Sequence, residues 1–319
     1  MATHDPMKRA IRCVTIMGAT AVGKSAVAIA LAETFGGEVV SMDSRQVYRG
    51  FDVGTGKLTT AERARVPHHL IDVADAGDAW SAGRHANLAE QAVREIAARG
   101  RVPILAGGTG MYFRSLFGGL VDITIPKDEL VRIRAALDGQ TTEELYRRLA
   151  AEDPARAREL SPNDRVRIAR ALELMAYTGV PPSEHYARQP STSDDLLYLK
   201  LVLFRPRSQS RERVAERTRA LFAAGWPREV EALLESGIPT DAPAMNGLGY
   251  RSIARAIHEG LDPASCLDLV IVETQQYAKR QETFFRSERD AVWIDVAKAG
   301  WEHDVEERVR AFLGAATGC

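Results

Sequence analysis

The chain has 319 residues, 45% hydrophobic and 27% charged, the make-up of an ordinary globular protein with room for a large core domain and an insert. Its formal net charge of −1 excludes a global positive field, so any nucleic acid must be met by local patches. Three widely spaced cysteines (Cys13, Cys266, Cys319) argue against a disulfide framework or a zinc site, and with no membrane-length apolar run and no signal stretch a cytoplasmic location is the default expectation.

Val14 to Met17 is a short apolar run suited to a buried parallel strand. Behind it stands Gly18-Ala19-Thr20-Ala21-Val22-Gly23-Lys24-Ser25, a full G-x-x-x-x-G-K-S phosphate loop, and Ser25 to Leu31 suits the helix that follows. Glycines there let backbone N–H groups wrap phosphate oxygens, Lys24 adds a point charge, and the Ser25 hydroxyl can hold Mg²⁺. Further strands are expected at Val39–Met42, Leu70–Val73 and Val102–Ala106, with a helix from about Arg84 to Ala98. Pro103 is expected to need an edge or first-turn position. Alternating strands and helices imply a P-loop α/β fold, a parallel sheet covered by helices on both faces, with ligands at the carboxyl ends of the strands.

From Lys127 to about Gln189 the pattern becomes short helices without a strand, read as an all-helical insert (127–190) between two parts of the core (1–126 and 191–319). Thr141-Thr142-Glu143-Glu144 carries a capping box, and Ser161-Pro162-Asn163-Asp164 is expected to start a helix, with Pro at its first position, that ends near Thr178-Gly179. The core resumes with a strand at Leu197–Phe204, helices near 208–224, 227–236, 250–259 and 264–286, a last strand at Ala291–Asp295 and a terminal helix.

Asp43 falls where the second strand meets its loop, and suits either a metal partner or a general base beside a leaving phosphate. A helix cap is the plainer reading. Gly107-Gly108-Thr109-Gly110 ends the fourth strand and brings backbone close to a ligand, with Thr109 at the next helix's start. Arg165, Arg167 and Arg170 lie on one insert helix. The segment 127–190 holds 11 Lys+Arg against 11 Asp+Glu, so a basic cluster there is local and a solvated face is its ordinary meaning. Lys279 and Arg280 sit on a helix whose apolar stripe (Leu267, Val270, Ile271, Thr274, Tyr277, Ala278, Phe284, Phe285) reads as core. His68-His69 lacks a supporting ligand set and is not read as a metal site.

Taken in order, several segments resemble the tRNA dimethylallyltransferase family, in its bacterial form. They are Gly18–Ser25, Asp43–Lys57, Val66–Asp72, Gly107–Tyr112, Pro162–Ile168, Gly249–Arg251 and Gln276–Gln281. Gln275 and Asn246 depart from the pattern, standing where the family tends to carry arginine. The resemblance implies transfer of a dimethylallyl group from dimethylallyl diphosphate to the exocyclic amine of adenine 37 of tRNA, giving isopentenyladenosine. It implies a diphosphate on Gly18, Ala19, Thr20, Ala21, Val22, Gly23, Lys24 and Ser25 with Mg²⁺ at Ser25, Asp43 as proton acceptor and Thr109 orienting. It also implies an anticodon stem-loop held by Asp43, Ser44, Arg45, Gln46, Thr109, Arg132, Val166, Arg167, Ile168, Ala169, Arg170, Lys279 and Arg280, by a protein working as a monomer away from membranes. An adenylate prenyltransferase of the cytokinin type, or a P-loop nucleotide kinase, are the alternatives. A GTP-binding switch protein is disfavoured because neither D-x-x-G nor N-K-x-D occurs.

Overall fold

A computed structural model describes residues 10–118, 123, 125–188 and 195–314. Cys319 and the expected insert boundary at Gln189–Pro190 lie outside the described residues. The chain divides into two compact units, Met1–Trp80 with His85–Phe113 and Asp194–Cys319, and Ser81–Arg84 with Arg114–Ser193.

The first unit is built on β1 (Ile11–Gly18), β2 (Gly37–Ser41), β3 (His68–His69), β4 (Val102–Gly107), β5 (Leu196–Phe204) and β6 (Val292–Asp295). They pair throughout in parallel, in the order β3-β2-β4-β1-β5-β6. Chain order reverses direction about β1, so the carboxyl ends of β1, β2 and β4 open onto one edge, where ligands of such sheets bind. Parallel strands covered on both faces must be apolar along their length, and Val14, Ile16, Ile104 and Leu201 are wholly buried, packed with α1 (Lys24–Phe35) through Ala28 and Ile29. Truncating one of these isoleucines to alanine would cost ~2–5 kcal/mol.

One expected strand, and the expected place of one proline, need correction. The run Leu70–Val73 is not a strand: β3 pairs two residues earlier, at His68 and His69. Leu70 (φ 61) and Asp72 (φ 57) then turn left-handed, because the Asp72 carboxylate is drawn onto Lys57 at 2.5 Å and Arg63 at 2.7 Å. Pro103 is not at an edge. It stands inside β4, opposite Glu38, and the sheet accepts it because pairing with β1 starts one residue later, at Ile104.

Helices cover the sheet: α2 (Thr60–Arg65), α3 (Ala82–Ala98), α4 (Gly110–Leu116), then α10 (Arg207–Ala223), α11 (Trp226–Glu235), α12 (Tyr250–His258), α13 (Leu267–Phe285) and α14 (Trp301–Gly314). A second apolar cluster, with Phe51, Trp226, Val230, Tyr250 and Val270 at its centre, joins α11, α12 and α13. No described helix is long and apolar enough to cross a membrane.

The second unit is helical: α5 (Lys127–Leu137), α6 (Thr142–Glu152), α7 (Pro154–Glu159), α8 (Arg165–Thr178) and α9 (Pro182–Arg188). Thr141 and Glu144 form the expected capping box on α6. The start of α8 is corrected: Asp164, not Ser161, caps it through the Arg167 N–H at 3.2 Å, and Pro162 lies in the turn before. The helix ends at Gly179 (φ 70), and its inner face buries Ile168, Ala171 and Leu172 with Leu145 and Leu149 of α6.

Candidate active site

At the carboxyl ends of β1, β2 and β4, within the first unit, lies a cavity of about 340 Å³. Its phosphate side is the loop between β1 and α1. Ala21 (φ 64) and Gly23 (φ 99) are left-handed, which curls the loop, and no side chain caps the start of α1 at Gly23. The first amides of α1 therefore remain available to an anion, with the helix dipole behind them. Thr20, Ala21, Lys24 and Ser25 line the cavity, whereas Val22 is buried in the apolar core beneath it.

Two cations meet at this loop. Lys24 donates to the Ala19 carbonyl at 2.7 Å, and its ammonium is pushed down to about 7, by burial first and by Arg217 second, with Asp43 opposing. Arg217 of α10 donates to Thr20 Oγ1 at 3.1 Å and is also held below its usual value by burial. Neither has a carboxylate within ion-pair distance among the described residues. Charged groups withdrawn from water without a counter-charge are costly, so this end of the cavity is built for an anion.

Asp43, past the end of β2, lines the same cavity and its charge acts on both cations. Its Oδ1 accepts the N–H groups of Arg45 (2.8 Å) and Gln46 (3.3 Å), which fixes the carboxylate in a turn. Ser44, Arg45 and Gln46 also line the cavity, Arg45 tied to the Pro243 carbonyl at 3.1 Å and Gln46 to that of Gly56 at 3.4 Å. Thr109 is not a lining residue. Its Oγ1 accepts the Ser44 N–H at 3.0 Å, its N–H donates to Met42 at 3.2 Å, and Tyr277 bonds it, so it braces the Asp43 loop from outside the cavity. The glycines before it are required by space: a Cβ on Gly107 would stand 2.0 Å from the Met42 carbonyl.

Behind this loop, His85 is fully buried and stacked on Tyr112 at 4.0 Å. Nε2 lies 2.9 Å from the Ser41 carbonyl, and Nδ1 accepts from the Trp80 indole at 3.2 Å, which makes Nε2 the protonated nitrogen. Burial lowers its pKa to about 4, so it is a neutral wedge.

The sequence reading placed α13's stripe as core, and it missed the polar residue inside it. Gln281, only 8% exposed, accepts the Thr20 N–H at 2.9 Å and donates to the Gly108 carbonyl at 2.8 Å, clamping the phosphate loop to the β4 turn. Arg217 was missed too. It is one of five arginines on α10, and only its place among Val214, Thr218 and Leu221 marks the inward face. Asn246 lines the cavity and accepts from Arg251, while Gln275 donates to the Arg211 carbonyl at 3.1 Å.

The remaining sequence candidates lie elsewhere. On the second unit Arg132 pairs with Glu129 at 2.6 Å, Arg167 with Asp164 at 3.3 Å, and Arg170 with Glu173 and the Ile123 carbonyl, both at 3.1 Å. Val166 is 79% exposed, Ala169 half-buried and Ile168 wholly buried, so the Ile168 side chain is core. Lys279 and Arg280 are exposed on α13, Arg280 lying 5.9 Å from the Tyr277 ring centre.

Comparison with known proteins gives one answer. A family profile described as IPP transferase matches residues 46–288. A tRNA dimethylallyltransferase of Desulfosudis oleivorans is 41% identical over 95% of this chain and 96% of its own, and one of Anaeromyxobacter dehalogenans is 45% identical over 89% and 95%. Among solved structures, the full-length tRNA isopentenylpyrophosphate transferase of Bacillus halodurans superposes with a TM-score of 0.69 at 30% identity, covering 96% of this chain and 98% of that one. A eukaryotic dimethylallyltransferase captured acting on tRNA gives 0.77 at 25% identity, covering 96% and 80%.

Proposed function

Because this chain belongs to the IPP transferase family, and is thus a prenyltransferase, we propose that it moves a dimethylallyl group from dimethylallyl diphosphate to the exocyclic amine of adenine 37 of tRNA. The observation that carries the reading is a pair of buried cations outside any ion pair, Lys24 and Arg217, in one cavity with Asp43.

The diphosphate lies on the Thr20–Ser25 amides with Lys24 and Arg217 on its oxygens. The amine lone pair attacks the allylic carbon, the C–N bond forms, and the C–O bond breaks with its electron pair leaving on pyrophosphate. Both cations then face a charge that grows along the reaction, which favours the transition state over the ground state. An adenine amine is a weak nucleophile until it loses a proton, and Asp43 Oδ2 is the acceptor for it, since Oδ1 is occupied by two backbone N–H groups. Thr109 holds that carboxylate's loop in place.

Mg²⁺ fits this donor set. The Ser25 hydroxyl is a hard oxygen ligand, too little to cage an ion alone and suited to one that arrives on a diphosphate with its own waters. Bound there, it supplies further neutralisation of the leaving group. Ser44, Arg45 and Gln46 read the base, which must leave its stack to enter a cavity of this size. Arg132, Arg167 and Arg170, with Lys279 and Arg280, meet tRNA phosphates, exchanging intramolecular pairs for backbone contacts. The protein is read as working as a monomer in the cytoplasm, where its tRNA acceptor is met.

The test is direct: incubate the protein with unmodified tRNA and dimethylallyl diphosphate, digest, and weigh the nucleosides. A dimethylallyl adduct on adenosine is expected, absent with Asp43→Ala while tRNA binding persists. Phosphate transfer from ATP with no adduct would replace the reading with the kinase alternative.

A further inference from the structure

Helix α10 turns one face to the cavity, with Val214, Arg217, Thr218 and Leu221 at intervals of three and four. Arg217 marks the phosphate end through its bond to Thr20. Leu221 follows four residues on, ~6 Å along the axis, and Trp226 opens α11 just beyond. The lining therefore passes from cationic to apolar along a single helix.

Trp226 closes this apolar side. It is 3% exposed, and its ring meets Phe222 at 5.4 Å and Tyr250 at 5.5 Å, both edge-on. Backbone presses on it from two more directions. A Cβ on Gly54 would stand 2.0 Å from its Nε1, and one on Gly249 would stand 2.3 Å from Cη2. An indole packed between two aromatic rings and two glycine backbones is held in place by those contacts. It is a wall and not a gate.

We propose that Trp226 sets the length of the prenyl chain this enzyme accepts, admitting five carbons and stopping ten. The inference rests on the donor assignment above. Each isoprene unit adds ~5 Å of chain, from C–C bonds of ~1.5 Å. One unit spans the step from the phosphate loop to Leu221, and a second runs into the indole. The cavity, at about 340 Å³, is at the small end for a small-molecule site and must also take an adenine, so no spare volume receives the longer tail.

The experiment compares dimethylallyl and geranyl diphosphates as donors to unmodified tRNA, reading the ratio of their kcat/KM values. Wild type should favour the five-carbon donor by at least about a thousandfold, and Trp226→Ala and Trp226→Leu should narrow that gap about a hundredfold, chiefly through KM for geranyl diphosphate. Val230→Ala is the control. Val230 is equally buried on α11 but does not line the cavity, so the wild-type ratio should persist. A folded Trp226 variant with the wild-type ratio overturns the proposal, as does a Val230→Ala protein that relaxes it equally. If neither Trp226 variant folds, unreactive alkyl diphosphates of increasing length decide on wild type alone. Inhibition should strengthen up to about five carbons and collapse beyond, and undiminished binding at ten overturns the wall. Wild type that transfers neither prenyl group would instead refute the donor assignment itself.

Discussion

Glu229 tests how the loop over the cavity is held. Its Oε2 accepts the N–H groups of Asp52 (2.8 Å) and Val53 (2.6 Å), and its Oε1 those of Gly54 (3.1 Å) and the Tyr250 hydroxyl (2.6 Å). One carboxylate on α11 thus pins the segment that brings Gly54 and Thr55 to the cavity and Gly54 against Trp226. Hydrogen bonds to a charged acceptor contribute ~1.5–3 kcal/mol each, and a buried donor left without a partner costs ~1–3 kcal/mol. Water replaces the carboxylate readily at the exposed Asp52 amide, less at Val53 and Gly54, and hardly at Tyr250, which is 1% exposed. Glu229→Ala should therefore loosen the segment by ~3–4 kcal/mol, and at ~1.4 kcal/mol per tenfold its amides should exchange ~10²–10³ times faster. Hydrogen exchange read by mass spectrometry on a peptide covering 50–57 measures this directly, with peptides from β1 and β5 as internal references. Glu229→Gln keeps one acceptor oxygen and should give about half that loss in free energy. KM for the donor should rise while KM for tRNA stays put. Unchanged exchange at 50–57 in the alanine variant would refute the reasoning, and equal acceleration throughout the unit would make Glu229 a global support and not a local pin.

Three further outcomes follow from the same geometry. Lys24 titrates near 7 and a bound anion favours its charged form, so pyrophosphate binding at about pH 8 should take up a proton that is already present at about pH 6; calorimetry in buffers of different ionisation enthalpy reads it, and Lys24→Met matching wild type at both pH values would contradict it. Gln281→Leu leaves the Thr20 N–H and the Gly108 carbonyl without partners and should cost ~2–4 kcal/mol, with donor KM raised and tRNA KM unchanged; a thermal melt matching wild type would show the clamp to be idle. Replacing Arg167 and Arg170 together by alanine should reduce the slope of log tRNA affinity against log salt by ~1–2, whereas an identical slope would confine them to their pairs with Asp164 and Glu173.

What local chemistry dictates was readable in advance. The strand before Gly18, the loop to Ser25, the capping box at Thr141 and the left-handed stop at Gly179 each depend on a few adjacent residues, and the place of Asp43 just past a strand follows from the apolar run before it. The misplaced third strand shows the opposite case. Leu70–Val73 is the more apolar segment, yet ion pairs from Asp72 to Lys57 and Arg63 outweigh strand propensity, and pairing retreats to two histidines. Pro162 likewise looked like a first helical residue until Asp164 took the cap. Gln281 was hidden for a different reason. Its partners at Thr20 and Gly108 lie far away in sequence, and on α13 it falls on the buried face where pattern alone expects an apolar residue.

The distribution of charge in the cavity explains why the chain's overall balance says so little about its chemistry. A net of −1 over 319 residues coexists with three cations, Lys24, Arg45 and Arg217, against one carboxylate, Asp43, around a single small space. Lys24 and Arg217 meet at the phosphate loop, so charge growing on a departing diphosphate is met there, while Asp43 on the same cavity takes the proton an attacking amine gives up. The pushed-down Lys24 fits the same arrangement. A lysine near neutrality is cheap to keep while the site holds no anion and takes its full charge when one arrives, so the driving field is strongest with the leaving group in place.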